Sequence, residues 1–185
     1  MKGKEKTKPA KTKDMISYFS WESAMILFTI VLGILLHFTY QWSMNNPIVA
    51  AVSAVNESTW EHIKIAIWPA FLLSIVYNVK TKPRFQNYAV ALGGLFSTII
   101  FIIPTFFYTY SGIIGTHFLP IDITLFVMAV IFGWYMFFCL IADKNDYSMR
   151  SVIICAVFDL AVLAAFLYFT YAPPSWGIFI PPVIN

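Results

Sequence analysis

Eight consecutive residues, Glu57-Ser58-Thr59-Trp60-Glu61-His62-Ile63-Lys64, gather two carboxylates, an imidazole and an amine in a chain of 185 residues that carries nine Asp and Glu and three His in all. Such groups hold metal ions, move protons or bind charged substrates. Glu57, Glu61, His62 and Lys64 are therefore the candidate catalytic group. The other histidines, His37 and His117, and the acids Asp122 and Asp159 lie in stretches that are otherwise largely apolar. Zinc or another divalent metal takes N and O donors and keeps a position for water, and the ligand set is drawn first from Glu57, Glu61, His62 and His117, with His37 and Asp122 as further donors.

The elements that must position these groups follow from composition. Hydrophobic residues make up 59% of the chain, aromatic residues 18% and charged residues 11%. The charged share is less than half that of an ordinary soluble domain. Five apolar runs, at 18–42, 59–78, 86–110, 120–142 and 149–171, each approach the roughly 20 residues that a hydrocarbon slab of ~30 Å requires. They read as helices, because an unpaired backbone cannot cross lipid. The fold class is all-α: a polytopic transmembrane bundle of five helices, with a basic arm at 1–14, disordered for want of any apolar pattern, the helical domain at 15–172 and a Pro-rich extracytoplasmic tail at 173–185.

Eleven of the twelve Lys and Arg fall before the first span, between the second and third, or between the fourth and fifth. Short cytoplasmic loops retain basic residues, so the N-terminus is expected inside and the C-terminus outside a multi-pass protein of the plasma membrane. The basic arm suits anionic lipid headgroups, and the net charge of +3 implies no nucleic-acid partner. Cys139 and Cys155 fall in the cytoplasmic halves of their helices and form no CxxC motif. Phosphate-binding glycine loops, nucleophile elbows, HExxH and inverted repeats are absent from the sequence.

This topology gathers the polar groups at the outer end. Steps of about 100° per residue put Glu57, Glu61 and Lys64 on one face if the helix includes residue 57, and turn His62 roughly 100° from Glu61. A purely structural account competes: Ser58-Thr59-Trp60-Glu61 is a capping box, in which Ser58 accepts from the Glu61 N–H and the Glu61 carboxylate returns to the Ser58 N–H. Trp60 would then lie in the interfacial aromatic belt and Lys64 would reach outward. Asp159, near the middle of its span, is expected to face the interior with a partner; with His37 and Asp122 it marks a candidate substrate or proton path. Its stripe Ser151, Cys155, Asp159 should pack on Ala89, Gly93, Ser97. Residues 111–117 read as a flexible loop, 45–53 as a poor helix, and Trp176 and Phe179 as anchors of a tail lying along the outer interface, able to cover the cluster.

Asn56-Glu57-Ser58-Thr59-Trp60-Glu61-His62-Ile63-Lys64, with Gly112-Ile113-Ile114-Gly115, Ile121-Asp122-Ile123 and Pro173-Pro174, resembles a family of small uncharacterised bacterial membrane proteins marked by N-E-S-x-W-E-H-x-K. The similarity spans nearly the whole chain after the basic arm. It implies a bacterial-type integral membrane protein and supplies no substrate.

Three functions fit these residues. One is a binding or catalytic site at the extracytoplasmic end, with metal-dependent chemistry on a lipid-type substrate. Another is a proton-linked transporter or binding protein for a small solute, using Asp159 and His37 as a proton-sensitive pair; five helices are few for a lone carrier, so this reading calls for a homo-oligomer or a partner. The third is a non-catalytic assembly or accessory subunit, in which the motif caps a helix.

Overall fold

The computed structural model describes residues 12–144 and 146–182, with side chains from residue 21 onward. The basic arm up to residue 11 and the last three residues of the tail lie outside the described residues. Six helices are present among those described: α1 (Thr12–Trp42), α2 (Pro47–Ala50), α3 (Thr59–Thr81), α4 (Phe85–Ile114), α5 (Leu119–Ala142) and α6 (Met149–Tyr171), followed by a 3-10 turn at Gly177–Phe179. All but α2 are long and apolar enough to cross a membrane. The α1 helix begins at Thr12 and so takes in the last three residues of the stretch read as an arm.

α3 is the least apolar of the five long helices and the most buried. It packs on α1 and α4, while α4 makes the most extensive contact, along α5, and also supports α6. This arrangement follows from composition, because a helix carrying Glu61, Lys64 and Ser74 is stable in lipid only when neighbours cover it. Gly33 lets α1 approach closely: a Cβ there would lie 2.6 Å from Phe126 Cζ and 3.0 Å from the Ile65 carbonyl oxygen. Pro69 has no N–H to offer that same carbonyl.

The core centres on fully buried Trp134, Phe137 and Phe96. Trp134 donates its indole N–H to Thr29 Oγ1 at 2.8 Å, and Thr29 donates to the Met25 carbonyl at 2.8 Å, so the polar tip of the largest core side chain is satisfied. The two small-residue stripes meet at Gly93, where a Cβ would lie 3.0 Å from that of Cys155. Ser97, expected in the same seam, is instead exposed and bonded to the Gly94 carbonyl, because its position on α4 faces outward.

Lys80 sits 4.0 Å from the Trp21 ring centroid and Arg84 Nη1 lies 2.5 Å from Asp146, so these basic residues share one end of the bundle. Asn87 Nδ2 donates to the Asp143 carbonyl at 2.8 Å and closes the C-terminus of α5 there. His37, Glu57, His62 and Asp122 occupy the opposite end, where α1 finishes and α3 and α5 begin.

Candidate functional site

The site is built on the connection between α1 and α3. After Trp42 the chain reverses through Met44 and Asn45, with φ of 55° and 59°, and Asn46 caps the one-turn helix α2 by accepting from the Ile48 N–H at 2.8 Å. That turn is the one helical piece of the segment read as a poor helix at 45–53, whose other residues are turns and bends. The connection then folds back onto α1. Ser53 Oγ donates to the Leu36 carbonyl and accepts from the Tyr40 N–H at 2.9 Å, inserting between two groups that pair in an unbroken helical ladder. The Ala54 N–H also reaches the Leu36 carbonyl, at 3.2 Å. The backbone just before Glu57 is thereby fixed beside His37.

Helix α3 starts at Thr59, with Ser58 as N-cap accepting from the Glu61 N–H at 3.5 Å. The other half of the expected capping box is different. The Ser58 N–H goes to Asn56 Oδ1 at 2.8 Å, an Asx-type turn within the chain's own loop. The Glu61 carboxylate, freed from that duty, takes the Val55 N–H at 3.0 Å and lies 2.6 Å from Lys64 Nζ. Lys64 gives its other donors to the Ala50 carbonyl and to Thr170 Oγ1, each at 2.9 Å. Rather than reaching outward, it is 0% exposed. One ammonium therefore ties α2, α3 and α6 together, and its three donors are all used.

Glu57 precedes the helix, so it does not share a face with Glu61 and Lys64. Its carboxylate instead faces the two imidazoles: Oε1 is 3.5 Å from His37 Nε2 and Oε2 is 3.8 Å from His62 Nε2. The rings of His37 and His62 are 5.3 Å apart. His62 Nδ1 lies 2.9 Å from the Ser58 carbonyl, which can only accept, so that nitrogen carries a proton. The Nε2 that faces Glu57 is then the basic nitrogen of the ring. Two electron-rich groups turned towards one another make a place where a cation can sit. Ligand atoms of His37, Glu57 and His62 all lie within 4.8 Å of one another. Three donors plus an open position is the composition of a catalytic zinc site, and a second ring nitrogen bonded to a carbonyl is the usual outer support of a histidine ligand.

The ligand set expected from sequence is thus rearranged. Glu57 and His62 belong to the convergent group and His37 joins them. The Glu61 carboxylate is engaged with Lys64, and His117 pairs with Asp122, its Nδ1 3.0 Å from Oδ2. Asp122, in the first turn of α5 after Pro120, also accepts from the hydroxyl of Tyr110. Residues 111–114, expected to be flexible loop, continue α4 to Ile114, with Gly115 closing it at φ 81°. Nothing in the sequence singles out Tyr110: a tyrosine near a span end is ordinary interfacial furniture, and its role appears only when α4 and α5 are adjacent.

Both groups border one cavity of about 420 Å³. Glu57, His62, His117 and Asp122 form its polar walls, and Ile103, Phe107, Leu125 and Phe126 its apolar ones. Pro182 of the tail closes one side. The tail is held by aromatic stacking: Trp60 lies between Phe166 and Phe179, with centroids at 4.7 and 4.8 Å. Trp60 and Phe179 thus form the clasp between α3 and the tail, with Phe179 buried and Trp176 69% exposed. Glu61 and Lys64 are not among the residues lining the cavity.

Asp159 is 4% exposed, and its Oδ1 has no hydrogen-bond partner among the described residues. Tyr88 and Cys155 are near enough to interact with its charge, and the expected pairing with His37 is not formed, since His37 faces Glu57 and His62. Removing an unsatisfied buried polar group relieves a penalty of about 1–3 kcal/mol. Asp159→Leu will accordingly raise the thermal midpoint in detergent; a lowered midpoint would show a bonded carboxyl.

The sequence profile of DUF6512, a family of unknown function, matches residues 10–184. The chain belongs to the DUF6512 family. The match runs through every helix described above, so in this DUF6512 chain the cavity, both carboxylate–imidazole groups and the Glu61–Lys64 pair lie within the family's extent. No curated protein and no solved structure matches the chain.

Proposed function

We propose that this protein is a metal-dependent enzyme of the bacterial plasma membrane, N-terminus inside and C-terminus outside, that holds a zinc-type ion between His37, Glu57 and His62 and acts on an amphipathic, lipid-type substrate seated in the adjoining cavity. The observation that carries this reading is the convergence of the three donors, two of which, Glu57 and His62, line the cavity. A tetrahedral ion with ligand bonds of about 2.0–2.1 Å spaces its ligand atoms by roughly 3.3–3.5 Å, so the three donors, which lie within 4.8 Å of one another, would have to draw together around it. The cavity volume is that of a small-molecule site, and its apolar walls suit an acyl or prenyl chain while the polar end meets a head group. A metal there would supply Lewis-acid polarisation or an activated water, with the chain's residues fixing its coordination.

Zinc titration of the purified, chelator-stripped protein in detergent tests this directly: one ion per chain is expected, and an absence of stoichiometric binding sinks the proposal. The orientation has its own measurement. A membrane-impermeant maleimide applied to intact cells should label a cysteine placed at Met44 and spare one placed at Lys82; the reverse pattern overturns the assignment.

A further inference from the structure

His117 and Asp122 come from elements that contribute nothing to the metal-type group, yet they border the same cavity. We propose that His117 is the proton-transfer residue of this cavity, with Asp122 as its positioning partner and Tyr110 holding Asp122 in place. This rests on the cavity being a substrate site but not on the identity or presence of the metal.

The hydrogen bonds fix where each proton resides. The Phe118 N–H donates to the Tyr110 hydroxyl oxygen at 3.1 Å, so the phenol turns its own proton towards Asp122 Oδ1. The second carboxylate oxygen lies 3.0 Å from His117 Nδ1. An ionised carboxylate only accepts, so Nδ1 carries hydrogen and Nε2 is left with its lone pair. No hydrogen bond engages that Nε2 among the described residues. The ring is 21% exposed and lies beside Phe107, whose apolar face keeps bulk water from one side of it. A carboxylate that sets the tautomer and orientation of an imidazole on the wall of a cavity is the arrangement of a general base.

In hydrolysis of an ester the proton balance closes on these residues. Nε2 takes a proton from water as the water oxygen bonds to the acyl carbon or phosphorus; the imidazolium so formed is offset by Asp122. The same proton then passes to the departing alcohol oxygen as its bond breaks, and the neutral imidazole returns. Water is the co-reactant, and nothing is oxidised or reduced.

A dyad that merely fastens the loop before α5 to its first turn would set the same tautomer but would not need to leave Nε2 open to a molecule in the cavity. Diethyl pyrocarbonate, which acylates unprotonated imidazole nitrogen, separates the two roles. The full-length protein in detergent is treated at neutral pH and the rate of modification at His117 is followed by peptide mass spectrometry. Rapid modification of His117 is expected in the wild type. In Asp122→Asn it should slow by at least about tenfold, since an amide partner reverses the tautomer. Tyr110→Phe keeps the carboxylate and serves if Asp122→Asn does not fold; it should slow the reaction by a smaller factor. Failure of His117 to react in the folded wild type, or an unchanged rate in whichever variant folds, overturns the proposal. Zinc titration of the same samples reads the metal independently, so loss of one reading is distinguishable from loss of the other.

Discussion

Lys64→Met will destabilise the folded bundle by about 3–5 kcal/mol, the usual consequence of removing one partner from a buried ion pair. The change keeps roughly the side chain's length and apolar stem. It takes away the ammonium that lies 2.6 Å from the Glu61 carboxylate, which is itself 2% exposed. The carboxylate then retains the Val55 N–H as its neutralising contact, and the Ala50 carbonyl and Thr170 hydroxyl each lose a donor. Pairing the change with Glu61→Leu should recover most of the loss, because two apolar residues leave no stranded charge. Unfolding in detergent with denaturant measures both. A single-variant loss under about 1 kcal/mol would place the pair in the range of exposed ion pairs and show that it is not desolvated.

The second large effect is on metal affinity. His37→Ala, Glu57→Gln and His62→Ala should each weaken zinc binding by at least about 100-fold, since loss of even an outer-shell partner costs 10–100-fold. His117→Ala should leave the affinity unchanged. That contrast discriminates the convergent group from the set suggested by residue type alone, in which Glu61 and His117 stood with Glu57 and His62. Equilibrium titration against a chromophoric chelator gives the constants. Thermal shift gives a parallel readout, because an ion bound to the folded state raises its midpoint by mass action. A collapse of affinity in His117→Ala with retention in His37→Ala would place the ion elsewhere in the cavity.

The spans were legible because length and hydrophobicity act locally. Runs of some 20 apolar residues leave a polypeptide little choice in lipid, and the five helices begin and end within a few residues of those runs, the largest difference being the start of α1 at Thr12. The start of α3 was legible too, through Ser58. What stayed hidden depended on register and on contacts far apart in sequence. Glu57 lies two residues before the first residue of α3, and helical steps of 100° do not apply to it. Its proximity to His37 depends on Ser53 reaching back to Leu36, a contact across 17 positions. Lys64 finds Thr170 across 106.

The motif's polarity therefore divides between two duties that residue types could not separate. Ser58, Glu61 and Lys64 turn inward and hold helices together, whereas Glu57 and His62 turn towards the cavity. Asn56 decides the division. By taking the Ser58 N–H, it leaves Glu61 free to neutralise a buried lysine. An N-cap box and a buried pair draw on the same carboxylate, and the lower-dielectric partner wins where both are within reach.

The Ser53 hydroxyl contacts both ends of one rung of the α1 ladder, the Leu36 carbonyl and the Tyr40 N–H, and His37 stands beside it. The final turn of α1 is consequently tied to the connecting segment as well as to its own helix. Both imidazoles ride on long helices while Glu57 rides on the connecting segment, so a rearrangement of a few residues outside the spans would move the carboxylate without moving either ring.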